Sequence, residues 1–435
     1  MLLKIETQLL PENYLSQLED LRISAYEKLK SLREKICAGS EFTGWWDYPH
    51  LSGFEVLKQI KKSVEKIDVV HDLVIVVGIG GSYAGTKALA QALRHQYADF
   101  LWNEGETTLP IVYAGHNLSE AGLLELLDLM EHHEPVINII SKSGTTIEPN
   151  VAFRILEETL LRRYGKEETA KRIFVTTQED KNTLHELALQ RKYNFFPLPQ
   201  DVGGRYSVFT AVSLLPLTLA GYDCGSLLEG ADRLFSELKS LDESMNHPVL
   251  QHAVFRKIAW EEGKRLDVLS YKEPKLASLI EWYKQLFAES EGKQGKGLMP
   301  MGMSYTTDLH SLGQFMQEGT DCMIQTFLNV GSQSSLVERH LKIPSDSYHN
   351  KTMKNIWERY VKDIDEAAWL ASQRAHSERG MPCVEIKLTQ LDAYHLGYLL
   401  AFFKVSCAVS ALLLEVNPFD QPGVEVYKKK MHEIL

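Results

Sequence analysis

The chain has 435 residues, 44% of them hydrophobic, and a formal net charge of -11. This is enough apolar material for two or three globular domains. Acidic and basic residues are interspersed, which argues against a nucleic-acid groove or a surface for anionic membranes, so we expect neither nucleic acid nor a membrane as a partner.

Cysteine usage indicates the compartment. The five cysteines are scattered, and none forms a C-x-x-C pair. We interpret them as reduced thiols in a cytoplasmic protein. The first ten residues lack the apolar core of a signal peptide, and no run of eighteen apolar residues occurs. We therefore expect a chain that does not span a membrane.

The first 50 residues are predicted to form a helical segment that packs on the larger domain. Apolar positions recur at helical spacing from Pro11 to Cys37, which predicts one long amphipathic helix. An aromatic loop, Gly44 to Pro49, follows. For Trp45 and Trp46 we favour packing against a second domain over stacking on a ligand.

Residues 51–207 are predicted to form a first, smaller α/β domain with a doubly wound parallel sheet, because short apolar runs alternate with helices. The predicted strands are Leu73–Val77, Ile111–Ala114, Val136–Ile140, Ile173–Thr176 and Asn194–Leu198. The predicted helices are Gly53–Val64, Gly85–Arg94, Ser119–Met130, Ile147–Arg163 and Asn182–Leu189.

Residues 208–416 are predicted to form a second, larger α/β domain, and residues 417–435 a C-terminal loop and helix that complete the active site. The predicted strands are Leu266–Tyr271, Cys322–Val330 and Cys383–Leu388. The predicted helices are Phe209–Leu219, Leu227–Leu238, Val249–Glu261, Leu276–Phe287, one from Asp308, Met353–Arg374 and Tyr394–Val416, with a Gly/Lys-rich loop at Glu289–Pro300. The fold class is therefore α/β, with mainly parallel sheets flanked by helices and helical extensions.

A hydroxyl-rich stretch, S-K-S-G-T-T-I-E-P, follows the third predicted strand. Its polar groups belong to Ser141, Lys142, Ser143, Thr145 and Thr146. At a helix N-terminus such groups suit a dianionic phosphate. Thr145 and Glu148 have the spacing of a capping box, which would fix the helix start. The alternative is an ordinary solvated turn.

The glycine-rich stretch V-I-V-V-G-I-G-G-S, Val74 to Ser82, is not a dinucleotide fingerprint. Tyr83 occupies the third glycine position of G-x-G-x-x-G, and no acidic residue follows the next strand to hold a ribose. The stretch, which includes Gly81 and Ser82, is instead interpreted as a glycine-rich turn at the start of a helix, whose backbone can approach a small substrate closely. The alternative is a tight turn alone.

Two further motifs carry charged side chains. In G-G-R-Y-S, Arg205 is presented as a donor fork for an oxyanion, although a surface ion pair would also explain an arginine there. In E-S-E-G-K, one of Glu289 and Glu291 suits a general base at a helix C-terminus, and the alternative is a solvated helix end.

Histidines and lysines give weaker signals. His310 suits a proton shuttle, but a lone histidine is more often structural. His132 and His133 point to different helix faces with no matching cluster, so we predict no metal site. Near the C-terminus a stiff loop, N-P-F-D-Q-P-G-V-E, leads into a helix bearing Lys428, which the sequence does not separate from the two lysines after it.

Taken together, these motifs resemble the phosphoglucose isomerase family. G-I-G-G-S, S-K-S-G-T-T, G-G-R-Y-S, E-S-E-G-K and F-D-Q-P-G-V-E-V-Y-K follow that family's order from Gly78 to Lys428. The resemblance implies two domains of the sugar-isomerase (SIS) type in a homodimer with active sites shared between subunits. It also implies a sugar-phosphate substrate, reversible interconversion of glucose 6-phosphate and fructose 6-phosphate through a cis-enediolate, and no cofactor or metal.

The resemblance also implies roles for individual residues. The sugar-phosphate site would consist of Gly81, Ser82, Ser141, Lys142, Ser143 and Thr146. Arg205 would face the enediolate, and Glu289 would move the proton between C1 and C2. His310, reaching the other subunit's site, and Lys428 would open the sugar ring, with Gln421 nearby. This chain departs from the family pattern at three positions. Many members have Thr in place of Ser143 and a bulkier residue in place of Gly144, and some have Asn in place of Glu291.

Three competing interpretations remain. A non-catalytic SIS-domain regulator would need the phosphate loops but no Glu289, His310 or Lys428, and this chain keeps all three. An amidotransferase-type synthase would need an N-terminal cysteine nucleophile domain, which Cys37 inside a predicted helix does not supply. A nicotinamide dehydrogenase is disfavoured by the failed fingerprint.

Overall fold

A computed structural model describes residues 2–100, 108–179, 182–244, 246–331, 340–345 and 355–434. In these residues ten strands form two sheets of five. The strands are β1 (Leu3–Glu6), β2 (Leu73–Val77), β3 (Ile111–Ala114), β4 (Pro135–Ile140), β5 (Ile173–Thr177), β6 (Asn194–Pro197), β7 (Leu266–Tyr271), β8 (Met299–Ser304), β9 (Met323–Val330) and β10 (Cys383–Leu388). The mixed α/β fold class is confirmed.

The helices flank the sheets or pack between them. They are α1 (Glu12–Asp20), α2 (Arg22–Arg33), α3 (Phe54–Val64), α4 (Ala84–Leu93), α5 (Glu120–His132), α6 (Ile147–Arg172), α7 (Thr183–Arg191), α8 (Ala211–Leu219), α9 (Cys224–Lys239), α10 (Pro248–Glu261), α11 (Ala277–Glu291), α12 (Gly313–Glu318), α13 (Val361–Glu378), α14 (Ala393–Leu413) and α15 (Pro422–Ile434).

The first sheet has the strand order β3-β2-β4-β5-β6, and all its pairs are parallel. Its central strands β2 and β4 are buried along their whole length, which explains their continuous apolar sequence. The order reverses between β2 and β4. Ligands of such sheets bind where the order reverses, outside the carboxyl ends of the strands. The glycine-rich and hydroxyl-rich loops leave β2 and β4 at that edge.

The second sheet has the order β1-β10-β9-β7-β8, and only β1 is antiparallel. Its parallel part, β8-β7-β9-β10, repeats the order of β3-β2-β4-β5 in the first sheet. The shared order supports two units of one type. The predicted domain boundaries stay a prediction, and α8, just after the boundary at residue 207, packs on α3 and α4.

Two strands were missed in the sequence. β8 contains Pro300 and Gly302, which are unfavourable in a strand interior, and it begins in the last two residues of the predicted Gly/Lys-rich loop. A sheet edge tolerates proline, and β8 is an edge strand. β1 is a four-residue strand, LKIE, in the segment predicted to be helical. It forms because the edge of β10 offers backbone partners.

Several helix predictions were wrong in extent. The helix predicted from Asp308 is a 3-10 turn, Thr307–His310, followed by the short α12. The single helix from Pro11 to Cys37 is two helices, because at Leu21 the chain leaves regular helical geometry (φ -88°, ψ -3°) and α2 turns to pack on α14 as well as on α10. α6 runs well past its predicted end, with a kink at Gly165. The predicted helix Met353–Arg374 is observed as α13, and Met353 lies outside the described residues.

α14 runs through the centre of the larger half and packs on α2, α9, α10 and α11. It is the one helix among the described residues that is long and apolar enough to cross a membrane. Its most apolar window is 100% buried inside the protein. Burial on all sides explains a helix that is hydrophobic all round.

A lysine interrupts this apolar helix. Lys404 is fully buried, and its ammonium has no hydrogen-bond partner among the described residues. The Nζ atom lies 5.0 Å from the ring centroid of Trp45 and 4.6 Å from that of Phe209. Desolvation lowers the pKa of Lys404 well below its usual value. An ammonium without a counter-charge is unfavourable there, so folding favours the neutral amine.

We predict that Lys404→Met stabilises the protein and changes the pH dependence of its stability. In the unfolded chain Lys404 binds a proton up to pH ~10.4, whereas the folded protein disfavours it, so wild-type stability should rise by ~1.4 kcal/mol per pH unit between the two pKa values. Denaturant titrations at pH 8 and 9.5 should show the advantage of the variant shrinking as pH rises. The exposed Lys58, changed to Met, is the control, and a pH-independent advantage of Lys404→Met would contradict the prediction.

Candidate active site

A cavity of about 590 Å³ opens at the carboxyl edge of β2 and β4. Both halves of the chain line it. All predicted site residues except His310 are at its surface, namely Gly81, Ser82, Ser141, Lys142, Ser143, Thr146, Arg205, Glu289, Gln421 and Lys428. The tertiary structure thus gathers motifs from five separate stretches into one site.

The hydroxyl-rich loop presents an uncapped helix start to the cavity. Thr146 is the N-cap residue of α6, and its side chain makes no capping hydrogen bond. The first backbone N–H groups of a helix have no partner within it, so those of Ile147 and Glu148 remain available for an anion. The predicted capping box is wrong, because the Thr145 hydroxyl instead donates to Ser143 Oγ at 3.0 Å.

The loop is held in shape from within the first sheet. Gly144 has φ +69°, and a Cβ there would lie 2.2 Å from Asn182 Oδ1. Asn182 in turn donates to the carbonyl oxygen of Lys142 at 3.0 Å and to Thr177 Oγ1 at 2.7 Å. Glycine at 144 is therefore required both by its left-handed backbone and by the close approach of Asn182.

Lys142 connects this loop to the segment before Arg205. Its ammonium donates to the carbonyl oxygens of Gln200 and Val202 at 3.0 and 3.1 Å and lies 5.1 Å from the ring centroid of Phe42. Burial lowers the pKa of Lys142. The side chain therefore fixes the position of the G-G-R-Y-S loop, in addition to any positive charge that it provides for an anion.

The two glycine-rich loops meet with almost no space between them. A Cβ on Gly81 would lie 2.1 Å from the carbonyl carbon of Gly204 and 2.7 Å from the backbone nitrogen of Arg205. Such distances are below any real carbon contact, so only glycine fits at residue 81. This contact places Ser82 and Arg205 on the same wall of the cavity.

Arg205 is buried, with 2% of its surface exposed, so the surface ion pair considered from the sequence is wrong. One terminal nitrogen donates to Glu289 Oε2 at 3.2 Å and to Gln421 Oε1 at 2.8 Å. The other donates to the carbonyl oxygen of Pro418 at 2.6 Å, and Nε donates to Ser290 Oγ at 2.8 Å. A single guanidinium thus joins α11 and the C-terminal loop to the first sheet.

Glu289 lies in the last turn of α11, with 27% of its side chain exposed towards the cavity. Gln285, one turn earlier, donates to Glu289 Oε1 at 3.1 Å and lines the same cavity. Gln285 was not predicted as a site residue, although its spacing of four residues before Glu289 places both on one helix face.

Of the remaining candidates, Lys428 lines the cavity and His310 does not. Lys428 on α15 lines the cavity and pairs with Glu425 at 2.7 Å, whereas Lys429 and Lys430 are not at its surface. His310 ends a short 3-10 turn, is exposed, and lies away from the cavity wall.

Two other predictions concern packing and metals. Trp45 and Trp46 are buried, and Trp45 stacks on Tyr206 with ring centroids 4.7 Å apart, as expected for packing residues.

His133 Nδ1 lies 3.1 Å from an Asp72 oxygen. Within the described ranges, no group of three or more His, Cys, Asp or Glu side chains is arranged to hold a metal ion.

Comparison with known sequences decides the family. The profile of the family described as "Phosphoglucose isomerase" matches residues 58–435. The chain belongs to the phosphoglucose isomerase family. A glucose-6-phosphate isomerase from Symbiobacterium thermophilum is 41% identical over 98% of this chain and 93% of its own length. One from Clostridioides difficile strain 630 is 40% identical over 93% of this chain and 89% of its own.

Solved structures share the fold of this chain. A protein from Thermus thermophilus described as hypothetical superposes with a TM-score of 0.86 at 25% identity, covering 99% of each chain. A glucose-6-phosphate isomerase from Chlamydia trachomatis has a TM-score of 0.80 at 16% identity and covers 100% of this chain and 88% of its own. At that identity the second likeness concerns the fold alone.

We predict that Gly81→Ala weakens the binding of a phosphorylated sugar acid in this cavity. The added Cβ must push the Gly204 backbone away, which displaces Ser82 and Arg205 from one another. Calorimetric titration with a phosphorylated sugar acid should show at least about a tenfold loss, as expected if ~1.4 kcal/mol of positioning is lost. Gly203→Ala is the matched control, since a Cβ there meets nothing within 4 Å. Equal affinities for both variants would contradict the prediction.

Proposed function

We propose that the protein is a glucose-6-phosphate isomerase that interconverts glucose 6-phosphate and fructose 6-phosphate. The observation that carries the proposal is the shared cavity, in which a carboxylate and a buried guanidinium from two different segments face a hydroxyl-rich helix start. The named relatives, about 40% identical over most of their length, support the same activity.

The phosphate end of the substrate is assigned to the first sheet. Ser141, Ser143 and Thr146 supply hydroxyls, and the start of α6 supplies free N–H groups and a positive dipole end. Ser82, on the neighbouring glycine-rich loop, lines the same cavity. Binding energy from the phosphate, remote from the reacting carbons, then holds the open sugar chain in register.

The proton transfer is assigned to Glu289. Its carboxylate removes the proton from C2 of the aldose, and the electron pair of that C–H bond forms the C1–C2 double bond of the cis-enediolate as O1 gains negative charge. O2 then gives up its proton to O1 as the C2 carbonyl forms, and Glu289 returns its proton to C1. Arg205, 3.2 Å from the Glu289 carboxylate, would stabilise the developing oxyanion with a terminal N–H group. Gln285 holds the other carboxylate oxygen, so the base keeps one orientation.

Ring opening and oligomeric state are linked. We assign ring opening to Lys428 and His310, with Gln421 beside Arg205 on the cavity wall. Because His310 lies off the cavity of its own chain, a homodimer in which a second copy inserts this residue would complete the site. We also place the protein in the cytoplasm, since all five cysteines are free and three of them are buried.

We predict that Glu289→Gln abolishes isomerisation and leaves sugar-phosphate binding nearly intact. The neutral amide keeps the shape of the side chain but removes the base, and a positioned general base contributes roughly 10²–10⁴-fold. The assay detects glucose 6-phosphate formed from fructose 6-phosphate in a coupled reaction, with no metal added. Glu281→Gln, exposed on the same helix, is the control. An inactive wild type would refute the function, and equal loss of binding and turnover would make Glu289 a structural residue.

We predict that two inactive variants restore activity when they are combined in one dimer. A hybrid of Glu289→Gln and His310→Ala has one site with both residues intact, so a random mixture of co-expressed subunits should recover about a quarter of the wild-type rate. The control is a hybrid of Glu289→Gln with Lys428→Met, which stays inactive because both residues line the cavity of one chain. No recovery in the first mixture would contradict the shared site.

A further inference from the structure

We propose that Arg256 is a positioning residue for the isomerase reaction, which through Glu291 fixes the last turn of α11 and thereby aims Glu289 into the cavity. The inference rests on the proposed function, because it assumes that Glu289 is the base. The two residues belong to a buried ionic cluster behind the cavity wall, outside the set of residues proposed to contact the substrate.

The central contact is a two-pronged ion pair. Arg256, on α10, is 1% exposed. Its Nε and Nη2 atoms donate to the two carboxylate oxygens of Glu291 at 2.9 and 2.8 Å. The guanidinium also lies 4.2 Å from the ring centroid of Phe287 on the same helix. The planar fork of arginine matches a carboxylate in this way, and no other side chain replaces it.

The cluster is anchored to the second sheet. The remaining terminal nitrogen of Arg256 bonds to the Asp267 carboxylate on β7 and to the Tyr283 hydroxyl at 3.1 Å. Tyr283 also donates to Asp267. The carboxylates keep the pKa of Arg256 well above its usual value despite burial, so the guanidinium stays charged at all working pH values.

Helix geometry connects the cluster to the base. Tyr283, Phe287 and Glu291 are spaced by four residues and therefore share the face of α11 that Arg256 contacts. Glu289 precedes Glu291 by two residues, which at about 100° per residue places it on the opposite face. Gln285 and Glu289 accordingly line the cavity, and Glu291 is fully buried.

The last turn of a helix needs such support. Its final carbonyl groups lack intrahelical partners, and helix ends fray. Glu289 stands two residues before the last residue of α11. A buried ion pair by itself is weak evidence for stability, because desolvation offsets much of the attraction. Its position directly behind the catalytic turn indicates that orientation is what it supplies.

The test is the near-isosteric variant Glu291→Gln, which keeps the side-chain volume and leaves Arg256 paired with Asp267. We expect kcat to fall about 10- to 100-fold, since small misplacements of a reacting group have effects of that size, while KM changes little. The primary deuterium isotope effect with substrate labelled at C2 should also increase, because proton transfer by a misdirected base becomes more rate-limiting.

The matched control is Glu385→Gln, another buried carboxylate, which bonds to Trp369 and Asn329 on the far side of the second sheet. It should change the melting temperature without changing the isotope effect. Arg256→Lys keeps the charge but loses the fork, so it should give the same rise in isotope effect as Glu291→Gln.

The possible results distinguish failure of the proposed function from failure of the positioning role. An inactive wild type overturns the proposed function and this inference together. An active wild type in which Glu291→Gln and Glu385→Gln have the same kcat and isotope effect leaves the function standing and overturns the positioning role. Should Arg256→Lys fail to fold, the comparison of the two glutamate variants still decides the question.

Discussion

The buried guanidinium of Arg205 is the contact on which the site depends. Its donors reach Glu289 and Ser290 on α11, Gln421, and the backbone of the C-terminal loop. These groups come from parts of the chain more than 80 and more than 200 residues away. Because a charged group of this kind is costly to bury unless its hydrogen bonds are satisfied, the three segments are held to one arrangement.

Two close contacts then complete the cavity around that arginine. Gly81 against Gly204 sets the distance between the glycine-rich loops, and Lys142 ties the hydroxyl-rich loop to the segment that carries Arg205. The loops proposed to bind the phosphate thus belong to the first sheet, and the carboxylate proposed as the base belongs to a helix that packs on the second. The chain has a net charge of -11, so this local concentration of donors is a reversal of sign built by the fold.

Two buried basic side chains on neighbouring helices, Arg256 on α10 and Lys404 on α14, have opposite surroundings. Arg256 is matched by carboxylates on both sides, whereas Lys404 lies over two aromatic rings and, among the described residues, has no hydrogen-bond partner. The first arrangement keeps a charge in the interior and fixes a helix end. The second favours loss of the proton, because nothing in the aromatic surroundings offsets desolvation.

The sequence by itself determined the elements whose signals are local. Buried strands such as β2 and β4 are continuous apolar runs, and the motifs read from the sequence contain most of the residues that line the cavity. It did not predict β8, whose proline is acceptable only at a sheet edge, nor the break at Leu21, which follows from packing on α14. The contacts of Gln285, Ser290 and Arg256 were not predicted either. Their roles depend on which distant groups they contact, and only the tertiary structure brings those groups together.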